Sequence, residues 1–383
     1  MRKLLKKSTY LVILYILFLQ GLNFAPLANF GGDVFFILII GYLFFGKYIY
    51  RRTQKILFPK KYYICIRWIF IGIFLSMISA ALYYHQSIVQ SLITYRTQYL
   101  MITPFFLAKM GFSREDVIQS LYKFTWVFSF FYLLRYIIPG LFIISETYID
   151  GDAVVLPGYT LLTIPLYYTL QKLNVRIRLR DILFIIFVIG LIFLQGNRST
   201  LFPVLILSCW MFLKVKSKYR IPFIIFISFI AFVAILQVWD TLHELIEETQ
   251  HQLNDPKYNR NKAFVYFIEA FSPNLWCTIF GNGFLSSHST SIMRLLMERG
   301  IYNSDLGFVG YWNQFGLIPI CVFLYLYISA IFRKTIPYYL KSIAIQTLIC
   351  GLTISYFGST YHMIFFIVFY YLYFINFTLS YRK

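Results

Sequence analysis

Acidic residues are scarce in this chain. Asp and Glu number 15 against 35 Lys and Arg, and only 13% of the 383 residues are charged. A soluble domain averages about 25% charged residues. With 59% hydrophobic residues, the apolar excess is too large for one water-soluble core, so lipid is the expected solvent for most of the surface. Cysteine is sparse as well. The five, at 65, 209, 277, 321 and 350, have neither metal-ligand nor disulfide-framework spacing and read as small hydrophobes. No Walker loop, DxD pair or HExxH motif occurs, so spacing points to no metal and no cofactor. Alternating segments of about ten residues, the mark of a membrane barrel, are missing, and backbone polarity excludes open sheets in lipid. No repeat of fixed period and no low-complexity tract is present.

What the chain does have is a series of apolar runs of about 20 residues, the length of a helix that crosses a bilayer. The expected fold is all-α: a polytopic transmembrane bundle of about 12 helices forming one membrane domain over 1–383. Helices are expected near 9–26, 32–50, 62–83, 93–110, 118–138, 156–171, 182–197, 200–214, 221–239, 305–332, 336–357 and 361–380. Met1–Lys7 is basic, but no small-residue cleavage site follows the first run, which is therefore expected to remain as a helix.

The net charge of +20 does not call for nucleic acid here. With the N-terminus in the cytoplasm, cytoplasmic segments collect 27 of the 35 Lys and Arg and only Glu115, Asp116 and Asp181 among the acids. That is the bias of the positive-inside rule. It predicts both termini in the cytoplasm, with residues 240–304 as one large extracytoplasmic loop between the ninth and tenth helices. Within the loop, Asp240–Asn254 is expected as an amphipathic helix, Asn254–Asn261 as a polar turn, Gly281–Gly283 as a tight turn and Ser289–Arg299 as a second helix.

Eight bases then remain outside, against the rule: Arg96, Arg135, Arg198, Lys257, Arg260, Lys262, Arg294 and Arg299. Arginine is costly near a bilayer, and its planar fork grips phosphate oxygens bidentately. A cluster of outward arginines at helix ends therefore suits the diphosphate of a lipid-linked substrate. Arg198 is the sharpest case, in the short link Gln195-Gly196-Asn197-Arg198-Ser199-Thr200 between two apolar runs; its bland reading is a hairpin tip with a snorkelling side chain. Arg135 and Arg96 also read as helix-end anchors. Arg294 and Glu298 are spaced for a surface ion pair, and Arg260 falls in a polar turn. Asp305 follows Asn303-Ser304 where the large loop re-enters the membrane. It reads as a helix N-cap or as a general base. His288, in a Ser-rich loop, is the other candidate base, and His362 is expected in a short outer turn.

A dozen helices, a Gly-x-Arg-Ser hairpin at Gly196–Ser199, and the Gly-x-Gly turn and polar re-entry within Phe280–Gly316 together resemble the O-antigen polymerase and O-antigen ligase families, the Wzy-like enzymes of bacterial surface polysaccharide assembly. The resemblance implies a metal-independent glycosyltransferase. Its substrate would be an undecaprenyl-diphosphate-linked oligosaccharide, passed to another lipid-linked repeat unit, and a chain-length regulator protein would be a partner. Arg198 would bind the diphosphate, with Arg260 or Arg294 completing the clamp. Ligase-like members commonly carry a histidine at the re-entry point, where this chain has Asn303-Ser304-Asp305; that departure favours polymerase over ligase. A transporter of lipid-linked sugars is the rival from a non-enzyme class.

Overall fold

The computed structural model describes residues 7–24, parts of 33–41, 60–142, 149–150, 153–154, 156–173, 175–195, 198–213, 259–267, 274–285, 303–352 and 360–381. Arg198, Arg260 and Asp305 are described in backbone only. The expected helix at 221–239, most of that at 32–50, and the loop helices Asp240–Asn254 and Ser289–Arg299 lie outside the described residues.

The described chain is helical. In order come α1 (Lys7–Phe18), α2 (Lys60–Tyr84), α3 (Ile88–Thr94), a 3-10 segment (Tyr95–Ile102), α4 (Thr103–Lys109) and α5 (Arg114–Ile137). Then follow α6 (Thr163–Leu173), α7 (Leu179–Leu194), α8 (Arg198–Leu213), α9 (Asn259–Val265), α10 (Leu275–Phe280), α11 (Gly307–Phe315), α12 (Leu317–Phe332), α13 (Tyr338–Cys350) and α14 (Thr360–Tyr381). The extended pair among the described residues is a two-residue antiparallel ladder, Ile149–Asp150 with Ala153–Val154.

Two helices are long and apolar enough to cross a membrane, Tyr63–Tyr84 and Arg114–Ile137. Four more apolar helices are shorter: Lys7–Phe18, Ser199–Leu213, Leu317–Phe332 and His362–Asn376. Twelve spans are therefore not reached among the described residues. Helix α5 shows why lipid is still the natural surroundings. It buries Val117, Leu121, Phe124, Phe128 and Tyr132, yet its opposite face exposes Trp126, Phe130, Leu133 and Ile137. A helix apolar on both faces is not a surface helix of a soluble protein. Its start is well specified: Ser113 Oγ accepts from Asp116 N–H while the Asp116 carboxylate accepts from Ser113 N–H, a reciprocal capping box.

The core runs along α14, where Met363 through Ile375 are all buried. Rings carry much of that packing, with Phe323 and Phe366 edge-to-face at 4.7 Å and Tyr370 and Phe374 at 4.7 Å. Such pairs add about 0.5–1.5 kcal/mol each beyond area burial.

Three expected helices are divided, and each break has a cause. The run at 93–110 closes α3 at Thr94, is 3-10 from Tyr95 to Ile102 and α from Thr103, where Pro104 sits at the helix start and supplies no N–H. The run at 156–171 opens as a 3-10 turn, Tyr159–Leu162. The expected single helix 305–332 is two helices, α11 and α12, separated at Gly316, whose φ is +80°. The carbonyls freed at the end of α11 are taken up by the Gly-Asn-Gly turn: Asn282 N–H donates to Asn313 O (2.7 Å) and Gly283 N–H to Gln314 O (2.9 Å). A Cβ on Gly281 would lie 2.5 Å from Gln314 O, and one on Gly316 2.4 Å from Phe280 C. The two backbones touch because both positions are glycine.

The bundle has two ends of different character. At one end Lys7 Nζ donates to Gly111 O (2.8 Å), Arg114 to Asn376 Oδ1 (3.2 Å) and Tyr339 N–H to Gln171 Oε1 (2.9 Å). This basic end also carries Lys61, Lys123, Lys172, Arg333 and Lys341. At the other end lie the end of α7 and the start of α8, the 281–285 turn, the 3-10 turn Asn303–Leu306 and the Cys350–Gly351 turn.

Candidate functional site

Helix α7 ends at Leu194 and packs on α8, of which Arg198 is the first residue. Pro203 lies inside α8. Its missing N–H leaves the Ser199 carbonyl without its helical donor, and the Cys350 thiol donates to that carbonyl at 3.0 Å. The next residue, Gly351, accepts from Phe308 N–H at 2.6 Å through its own carbonyl. One turn at the end of α13 thus ties the residue after Arg198 to the start of α11, three residues past Asp305. Gly307 makes that approach possible: it has φ +55°, and a Cβ there would lie 2.1 Å from Gly351 O.

Asp305 lies in a 3-10 turn, Asn303–Leu306. The expected N-cap role is corrected: Leu306 occupies the capping position of α11, with no side-chain cap bond. Within the same turn, Asn303 is buried and its Nδ2 donates to Asn313 Oδ1 (3.3 Å), while Asn313 Nδ2 donates to Phe267 O (3.3 Å). That relay joins the Asp305 turn to the segment just past α9, the helix of Arg260. The expected polar turn at 254–261 is corrected over its last three residues, since Asn259, Arg260 and Asn261 form the first turn of α9; 254–258 lie outside the described residues. Helix α9 packs on the re-entry turn, and Ala263, Phe267 and Leu306 share a small apolar cluster with Ala80 and Leu285.

Arg135 belongs to a third element, α5. It stands in the last turn of α5 and is only 5% exposed, so it turns into the protein and does not snorkel outward. One turn earlier on α5, Tyr132 Oη donates to Leu194 O (2.8 Å), at the hairpin of Arg198. Four of the sequence-derived site positions, Arg135, Arg198, Arg260 and Asp305, therefore sit on elements fastened to one another at one end of the bundle. His288, Arg294 and Arg299 lie outside the described residues. Arg96 stands apart, in an exposed ion pair with Asp33 at 3.7 Å, and Lys262 is exposed on α9.

Sequence reasoning missed the polar lining beside the hairpin. Tyr159 Oη and Thr200 Oγ1 are 3.4 Å apart, and the Tyr159 ring meets His362 edge-on at 6.2 Å between centroids. His362 is in the first turns of α14, so its expected place in an outer turn is corrected. Gln195 is fully buried and its Oε1 accepts from Leu156 N–H at 2.8 Å. Its Nε2 has no partner among the described residues, which leaves one buried donor at the base of the hairpin. No spacing in the sequence links 159, 195, 200 and 362. On α10, Cys277 is buried and its thiol is pushed up to about 11 by desolvation. It is protonated at neutral pH and is a poor nucleophile. Among the described residues no three His, Cys, Asp or Glu converge in a way that could hold a metal ion.

What meets at this end is a set of arginine positions, neutral donors and one carboxylate position. The chain matches no family model, and no curated protein matches it.

Proposed function

We propose that this chain is a polymerase of bacterial surface polysaccharide, of the O-antigen polymerase kind, embedded in the cytoplasmic membrane. The basic end faces the cytoplasm together with both termini, and the end of the Arg198 hairpin faces outward. The substrate is a glycan on undecaprenyl diphosphate, and the acceptor is a hydroxyl of another lipid-linked repeat unit. In the reaction that hydroxyl attacks the anomeric carbon. The bond from carbon to diphosphate oxygen breaks, a glycosidic bond forms, and the hydroxyl proton passes to a base, Asp305 or His288. Arg198, with Arg135 and Arg260 and the loop residues Arg294 and Arg299, neutralises the diphosphate as it leaves. Such preorganised charge is usually the largest catalytic term.

One observation carries the reading. The Cys350–Gly351 turn is bonded on one side to Ser199, beside Arg198, and on the other to Phe308, beside the Asp305 turn. The positions of Arg198 and Asp305 thus stand on linked elements although they are more than 100 residues apart in the chain, which supports a shared site.

The test is complementation of a deletion strain with wild type, Arg198→Ala and Arg198→Lys, read by the surface glycan ladder and by the lipid-linked precursors. The expected outcome is loss of the ladder in Arg198→Ala while single repeat units still reach the surface. Arg198→Lys should restore little, because a point charge lacks the fork. Repeat units trapped inside would mean a transporter, and long chains left on the lipid carrier would mean a ligase; either overturns the proposal.

A further inference from the structure

We infer that a groove at the basic end, bounded by α5, α6 and α7, binds one anionic phospholipid. The groove holds about 560 Å³, within the ligand-sized range of about 300–1,000 Å³. Its rim is charged. Lys172 ends α6, and Arg180 and Asp181 open α7. The Lys172 ammonium lies over the rings of Tyr122 (5.1 Å) and Tyr168 (4.6 Å), which fix its position by cation–π attraction. Asp181 is answered locally by Arg180 at 3.7 Å. Arg176 and Arg178 flank the rim in the same connection, so the positive charge is in excess around a single carboxylate.

Away from the rim the groove becomes apolar. Trp126 and Phe187 stack at 5.0 Å, and Leu183 lies between them and the charges along α7. Trp126 is 60% exposed and Leu183 56% exposed, which is costly in water and natural beside acyl chains. From Arg180 to Phe187 the helix advances about 10 Å. The groove therefore runs from positive to apolar along the direction of a lipid molecule, headgroup at the rim and chain on the aromatic wall. A free anion would engage the rim alone and leave that wall uncovered. Basic pockets between helices at the cytoplasmic leaflet are a recognised way to hold acidic headgroups. The assignment rests on this end facing the cytoplasmic leaflet and is independent of the glycosyl transfer proposed above.

The experiment uses the purified, delipidated full chain in mild detergent, titrated with phosphatidylglycerol or phosphatidylcholine and read by native mass spectrometry. Phosphatidylglycerol should bind at one equivalent and phosphatidylcholine much more weakly. Lys172→Gln with Arg180→Gln should weaken phosphatidylglycerol binding about 30-fold, from two charges near an anionic headgroup. The control pair Lys60→Gln with Lys334→Gln, exposed at the same end, should leave it unchanged. Equal losses in both pairs, no loss in either, or displacement of the lipid by millimolar inorganic phosphate would overturn the inference. If the double variant does not fold, Arg180→Gln alone and Leu183→Gln carry the same test, because both alter exposed side chains.

Discussion

Replacing Gly316 by alanine should damage this protein far more than replacing Gly190 by alanine, although both are glycine-to-methyl changes beside apolar helix. At Gly316 the backbone has φ +80° and ψ −176°, a conformation essentially restricted to glycine that costs about 1–3 kcal/mol for other residues. The new Cβ would lie 2.4 Å from Phe280 C and 2.5 Å from Ile279 O. Backbone cannot rotate aside as a side chain can, so the 281–283 turn has to lift. The bonds from Asn282 to Asn313 and from Gly283 to Gln314 then go, at about 0.5–1.5 kcal/mol each. The sum is about 2–6 kcal/mol. Gly190 lies inside α7, and a Cβ there meets nothing within 4 Å. Its substitution should be neutral or stabilising by about 0.5–1 kcal/mol, through helix propensity. The assay is thermal and denaturant unfolding of both variants in detergent, with glycan complementation beside it. Because the docked turn sets the course from α11 into α12, Gly316→Ala should also lose polymer length. If Gly316→Ala unfolds within about 0.5 kcal/mol of Gly190→Ala, the interlocked-glycine argument fails; that margin is typical of surface substitutions.

Two further outcomes separate site from scaffold. Tyr132→Phe removes the donor to Leu194 O and should cost about 1 kcal/mol of stability. Because that bond steadies the Arg198 hairpin, complementation should fall more than it does for an equally destabilised variant elsewhere. Ser113→Ala removes the capping box of α5 at the opposite end and should cost about 0.5–2 kcal/mol; the glycan ladder at permissive temperature should be unchanged, and a shortened ladder would contradict the separation of the two ends.

Much of the helical layout can be read from the sequence. The start of α5 was expected four residues late, because the polar Arg-Glu-Asp turn belongs to the helix through its capping box and not through hydropathy. The hairpin at Arg198 and the turn at Gly281–Gly283 fall where Gly, Asn and Ser interrupt apolar runs. The break at Gly316 is different. Leu317 onward is as apolar as what a continuous helix needs, and a lone glycine inside a membrane run is ordinary. What ends α11 is a set of donors from a turn about 30 residues earlier, which no local window contains. His362, expected in an outer turn at the edge of the 361–380 run, lies inside α14, which begins one residue earlier at Thr360.

By itself the sequence determined the helical class and the apolar, basic character of the chain, because those follow from composition and from the spacing of residues close in the chain. It also singled out Arg198 and Asp305, since an arginine or a carboxylate beside a long apolar run is costly wherever it stands. Only the tertiary structure decided which of these positions share a place. The start of the Arg198 helix, the Asp305 turn and the Arg260 helix are joined by a thiol, one backbone bond and an asparagine relay. Those contacts form between segments far apart in the chain, and they exist because freed carbonyls and close-packed glycines need partners that only folding brings within reach.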